Sequence, residues 1–104
     1  MAVETSNDEL LNAQLASREK VVVKYYADWC GSCKLFAAKY KRLSGDERFS
    51  DILFLDINAE HNPESRKLAG VDNLPFFATF KNGELVKTIS TTKEENLVAL
   101  LSSI

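Results

Sequence analysis

Cys30 and Cys33 are the only cysteines in the chain, and Gly31 and Ser32 separate them. They sit in Trp29-Cys30-Gly31-Ser32-Cys33-Lys34, between a strongly apolar run and a stretch with helical spacing. At the first turn of a helix this spacing lets the two sulfurs close a small disulfide. The first sulfur then faces the unpaired N–H groups and the positive end of the helix, and both favour a thiolate over a thiol. A cysteine that ordinarily titrates at about 8.5 falls to roughly 3.5–7.5 in such a setting. Cys30 is therefore expected to be the nucleophile at neutral pH. Cys33, one helical turn further in, is expected to be shielded and to act second. The same spacing also supplies half of a zinc site, but four-coordinate zinc needs two more ligands. Only His61 is available, far along the chain. Two inert core cysteines are the remaining alternative.

The elements that must position this pair are legible from periodicity. Lys20 to Ala27 is a β-branched and aromatic run of strand length, apolar on both faces apart from Lys24, as in a strand covered on both sides. Gly31 to Leu43 returns to helical spacing through Phe36, Tyr40 and Leu43, with Lys39, Lys41 and Arg42 at the end that favours cations. Asp51 to Ile57 reads as a second strand. Asn62-Pro63-Glu64 reads as a helix start, with Asn62 as the cap, and Gly70 as the left-handed residue that ends it. Pro75 to Phe80 is a third strand, and Asn82-Gly83 is a hairpin turn into Leu85–Ile89.

Ser6 with Glu9 reads as a capping box opening a first helix over about 7–18. Thr91 with Glu94, or Thr92 with Glu95, reads as the cap of a last helix carrying Leu97, Val98, Leu100 and Leu101. Strands joined through helices should run parallel, and the last pair antiparallel. The fold class is therefore α/β, a central mixed sheet with helices on both faces.

Composition bounds the function. The 104 residues amount to a single domain over 1–104. Thirteen basic and fifteen acidic residues give a formal charge of -2, which argues against a nucleic-acid partner. No apolar run reaches the length of a membrane span, and Met1 to Leu10 lacks the pattern of a signal peptide. A cytoplasmic location and a monomer are the expectations. Two cysteines are too few for a disulfide-stapled scaffold.

Three segments together resemble the thioredoxin family over about residues 7–102. They are Val21 to Lys34, Val71-Asp72-Asn73-Leu74-Pro75, and Phe80-Lys81-Asn82-Gly83-Glu84. The resemblance implies a thioredoxin fold and thiol–disulfide exchange. Cys30 would attack a substrate disulfide and Cys33 would resolve the mixed disulfide. It implies no metal and no cofactor beyond the redox-active Cys30–Cys33 disulfide, with disulfide-containing proteins as substrates and a thioredoxin-reductase-like electron donor. It also implies a cis bond before Pro75, facing the cysteines, and backbone hydrogen bonds from Leu74 to an extended substrate. Trp29 would be a lid beside the thiol, and Gly31 would let backbone approach closely. Tyr25, Tyr26, Phe36, Phe77 and Phe80 read as core residues.

Several positions depart from the family pattern. Ser32 replaces a proline and adds donors toward Cys30, which makes a weaker reductant the expectation. Lys24 stands where the family has a buried acid thought to assist proton transfer at the second cysteine. Asp56 stands on the next strand where the family has a lysine, so a swapped Lys24–Asp56 pair is expected. Phe76 replaces a threonine and Thr91 a glycine, both enlarging side chains near the presumed docking surface, and Ala38 replaces a helix-bending proline. The leading reading is a reductant of protein disulfides. The alternatives are a mild oxidant or isomerase, and a partner-binding module with little turnover.

Overall fold

The structure is a computed structural model, and it describes residues 3–104; residues 1 and 2 of the expected domain lie outside it. Five strands form one sheet in the order β1-β3-β2-β4-β5. They are β1 (Glu4–Thr5), β2 (Lys20–Tyr26), β3 (Ile52–Asn58), β4 (Phe76–Lys81) and β5 (Glu84–Ser90). The helices are α1 (Leu11–Ser17), α2 (Gly31–Ser44), α3 (Pro63–Ala69) and α4 (Glu94–Ser102), with a 3-10 turn at Glu47–Phe49.

Alternation along the strands divides the core into two layers. On one face Val21, Val23, Tyr25, Leu53, Leu55 and Ile57 are buried with Leu11 and Leu15 of α1 and Ala69 of α3. On the other, Val22, Phe54 and Phe77 are buried with Phe36, Tyr40 and Leu43 of α2 and Leu97, Leu100 and Leu101 of α4. The continuous apolar character of β2 follows from its central place, since both faces are covered. Tyr40 ties the second layer to the sheet: its hydroxyl lies 2.7 Å from the Leu55 carbonyl and 3.1 Å from that of Val22, one on each parallel strand.

The pairing differs from expectation at β4. β3 runs parallel to β2, but β4 pairs with β2 antiparallel although a helix joins it to β3. β4 begins at the end of the sheet where β3 ended, with Phe76 opposite Tyr25 and Lys81 opposite Lys20. The hairpin is as expected: Asn82 and Gly83 both have positive φ, 54° and 83°. Gly70 closes α3 with φ 69°.

Three caps differ from the sequence reading. α1 starts at Leu11 and not near residue 7, and Ser6 and Glu9 form no box there. Asn7 Oδ1 accepts from the Leu10 N–H instead, and the Ser6 hydroxyl bonds Gln14 Oε1. Asn62 does not cap α3 with its side chain. Its Oδ1 accepts from the Asp8 N–H at 2.9 Å, and the Asp8 carboxylate accepts from the N–H groups of Ser65 (2.7 Å) and Glu64 (3.3 Å). The α3 cap is thus supplied from more than fifty residues away, which no local motif records. Thr91 and Glu94 form no box at α4. Thr91 Oγ1 accepts from Lys93 N–H and Asn96 Nδ2, and Glu94 pairs with Arg42.

Desolvation works against the charged Asp8 carboxyl, but the Ser65 and Glu64 hydrogen bonds outweigh it and hold its pKa below the ordinary value. A lowered carboxylate pKa contributes stability above the unfolded value of 3.8, and that stability is lost as pH falls through the folded value. Asp8→Ala is therefore expected to lower Tm by a few degrees at neutral pH. Thermal melts of the two proteins should converge in acid; a gap that persists there argues against the cap.

Candidate active site

β2 delivers the chain through Ala27 and Asp28 to Cys30, which occupies the N-cap position of α2. The Cys30 N–H donates to the Ala27 carbonyl at 3.1 Å, closing the turn that aims the cysteine at the helix mouth. Cys30 and Cys33 are joined as a disulfide. Cys30 Sγ accepts the Cys33 N–H at 3.2 Å, so one of the orphan donors of the helix start already points at this sulfur. The Ser32 hydroxyl lies 3.5 Å from the same sulfur. Because a disulfide sulfur carries no hydrogen, the hydroxyl is the donor. Two donors on one sulfur favour its anionic form once the disulfide is opened.

Both cysteines are buried, Cys30 at 5% and Cys33 at 2% exposed, together with Ala27, and Leu74 and Tyr26 pack on the same cluster. Trp29 is 68% exposed, so it does not belong to the core. Leu35, on the next exposed position of α2, is 80% exposed. The Leu74–Pro75 bond is cis, and Leu74 packs against the cysteine cluster, which brings the start of β4 beside the pair as expected. Asn73 is a residue that the sequence reading missed. Its Oδ1 accepts the Leu74 N–H at 2.9 Å, so the donor an extended substrate would use is engaged locally. A short polar side chain hydrogen-bonding a nearby backbone N–H was the available signal.

Phe76 is placed differently from the expectation. It is buried, meets Tyr25 edge-on with ring centroids 6.1 Å apart, and belongs to the core layer opposite α2. Strand alternation sends its side chain inward, so it does not enlarge a docking surface. Tyr25, Phe36, Phe77 and Phe80 are buried as expected, whereas Tyr26 is half-buried beside the cysteines.

Lys24 and Asp56 are direct neighbours in the parallel register of β2 and β3, on the α2 face. They form no direct ion pair: no carboxylate of the described residues lies within 4.0 Å of the Lys24 ammonium. The ammonium instead faces the rings of Tyr40 and Tyr26, 5.1 and 5.7 Å from their centroids. Lys24 is 4% exposed, so it does not reach out to water along its stem either. Burial lowers its pKa, opposed by the Asp56 charge. Burial raises that of Asp56, opposed by Lys24 and a Thr5 hydrogen bond. Among the described residues no three metal-ligating side chains converge, and His61 is exposed. No helix among them is long and apolar enough to cross a membrane.

The comparisons with known proteins agree with this geometry. The family model described as Thioredoxin matches residues 2–103. A chloroplastic F-type thioredoxin of Brassica napus is 40% identical over 92 residues, covering 85% of this chain and 48% of that protein. Thioredoxin-1 of Schizosaccharomyces pombe is 29% identical over 103 residues, covering 99% and 98%. The short form of thioredoxin F from spinach chloroplast superposes with a TM-score of 0.89 at 25% identity, over 98% of this chain and 92% of that one. The chain spans about half the length of the F-type relatives it matches. Because the family match runs through every strand and helix and not only around the two cysteines, the chain belongs to the thioredoxin family.

Proposed function

We propose that the chain is a thiol–disulfide oxidoreductase that reduces protein disulfides. The observation that carries this reading is the seat of Cys30 Sγ at the mouth of α2, accepting the Cys33 N–H. In the dithiol state the Cys30 thiolate attacks one sulfur of a substrate disulfide, and the other leaves as a thiolate. Cys33 then attacks Cys30, closing the internal disulfide and releasing the second substrate thiol. A reductase of the thioredoxin-reductase type returns the dithiol. The exposed Trp29 and the Leu74–Pro75 edge frame the surface on which a protein substrate would lie. Insulin reduction driven by such a reductase or by dithiothreitol tests the reading. An inactive wild type would leave a partner-binding module as the better account.

The Ser32 hydroxyl favours a second reading, a milder reductant or an oxidant. Hydrogen bonds to charged groups contribute about 1.5–3 kcal/mol, and for this two-electron couple about 30 mV corresponds to 1.4 kcal/mol. Stabilising the thiolate stabilises the dithiol and raises the potential. Ser32→Pro, which removes both the hydroxyl and a backbone donor, is thus expected to make the potential more negative by about 30–60 mV. Equilibration with a glutathione buffer measures it, and an unchanged or higher potential contradicts the role given to Ser32. A wild-type potential above roughly -200 mV would favour the oxidant or isomerase.

A further inference from the structure

The exchange chemistry leaves two ionisable groups without a task, the buried Lys24 and the half-buried Asp56. Lys24 has no carboxylate partner at salt-bridge distance among the described residues. Across the strand pair, Asp56 Oδ1 is the one buried side-chain nitrogen or oxygen among the described residues without a hydrogen-bond partner. An orphaned buried acceptor is costly to keep, and perturbed groups of this kind gather where protons are moved.

Both side chains line a cleft of about 280 Å³ whose wall includes Cys33. A second cleft, of about 320 Å³, shares Lys24, Ala37 and Asp56 and opens beside Val3 and Lys41. Lys34 lines the first cleft and Lys41 the second, and these two positions lie about 10 Å apart along α2. A groove with Lys24 and Asp56 on its wall therefore follows the flank of α2, starting behind Cys33. None of Trp29, Leu74, Pro75 or Phe76 lines either part of it. A partner seated on Trp29 and Pro75 would leave the groove open to water, and it is roomy enough to hold some, with Lys24, Asp28 and Asp56 as polar partners on its wall.

We propose that Asp56 takes the Cys33 proton through water in this groove while the Lys24 ammonium steadies the Cys33 thiolate, so that proton exchange continues under a docked substrate. The inference rests on the oxidoreductase reading above. In the resolving step the Cys33 S–H bond breaks and its proton passes through water to Asp56 Oδ1. The electron pair left on sulfur forms the bond to Cys30 Sγ. The Cys30–substrate bond breaks with its pair on the substrate sulfur, which takes a proton from water. Asp56 then returns its proton to solvent through the groove. Relative to the family pattern, the acid has moved one strand over and a cation stands in its place. Both are positioning residues, acting on the sulfur across water and through space.

The other titratable groups facing the groove are Tyr26 and Tyr40, whose phenols burial pushes up, Asp28 and Lys34 at one mouth, and Lys41 at the other. None of the phenols ionises near neutrality.

Stopped-flow reaction of the reduced full chain with dithionitrobenzoate separates the two steps. The first nitrothiobenzoate released reports Cys30, and the second reports Cys33. For Asp56→Asn, near neutral pH, we expect the second phase to slow by about tenfold or more, with the first phase changed by less than about twofold. Added acetate, able to enter the open groove, should restore part of the second phase, which a purely structural effect would not allow. For Lys24→Gln the midpoint of the second-phase pH profile should move upward while the first stays in place. Unchanged second phases in both variants, or equal slowing of both phases without rescue by acetate, overturn the proposal. A wild type that shows only the first phase refutes the oxidoreductase reading itself, before any variant is compared.

Discussion

Cys30→Ser reduces insulin disulfides no faster than the buffer alone, whereas Cys33→Ser still captures one substrate sulfur and stops there. The asymmetry follows from the positions of the two sulfurs. Cys30 Sγ is the one at the mouth of α2, with the Cys33 N–H and the Ser32 hydroxyl directed at it. Serine at that position has no accessible oxyanion at neutral pH, so capture is lost altogether. Cys33 is buried a turn further on and meets only a sulfur already bound to Cys30. Removing it leaves the mixed disulfide without an internal thiol to open it, and the protein accumulates as a covalent adduct visible by intact mass. Equal activity of the Cys30→Ser variant and the wild type would end the assignment of the nucleophile. An adduct on Cys33 in the Cys30→Ser variant would reverse the order of the two roles.

Phe77→Ala costs about 3–5 kcal/mol, a large share of the roughly 5–15 kcal/mol that holds a domain of this size together. Phe77 is fully buried under α2. Its ring centroid lies 5.1 Å from that of Phe36 and 5.8 Å from that of Tyr40, the two aromatic residues by which α2 rests on the sheet. Across the strand it is the register partner of Lys24. Truncation to alanine leaves a cavity beneath the helix that carries both cysteines. We expect Tm to fall by about 15 °C or more, and the second, Cys33-dependent step to slow in whatever fraction stays folded, because α2 loses its footing. Phe77→Leu, which refills most of the space, should recover the larger part of both effects. A melt within a few degrees of wild type for Phe77→Ala would mean that α2 is held by something other than this aromatic contact.

The sequence by itself determined the chemistry and most of the scaffold. Cys30-Gly31-Ser32-Cys33 carries its meaning locally: spacing alone decides that two sulfurs meet in one helical turn, and the preceding apolar run decides that a strand delivers them. Both strands of the central pair, α2 and the Asn82-Gly83 turn were legible for the same reason, since hydrophobic period and positive-φ residues act within a few positions along the chain. What only the tertiary structure decided are the contacts between segments distant in sequence. Asp8 caps α3 from more than fifty residues away, and β4 pairs antiparallel with β2 although a helix joins it to β3. Phe76 faces the core because its place in β4 fixes its side. The register of β2 on β3 sets Lys24 beside Asp56, yet in the fold the ammonium faces the rings of Tyr26 and Tyr40. Local motifs are read from neighbouring residues, whereas a partner across the fold is chosen by which surfaces must be buried together.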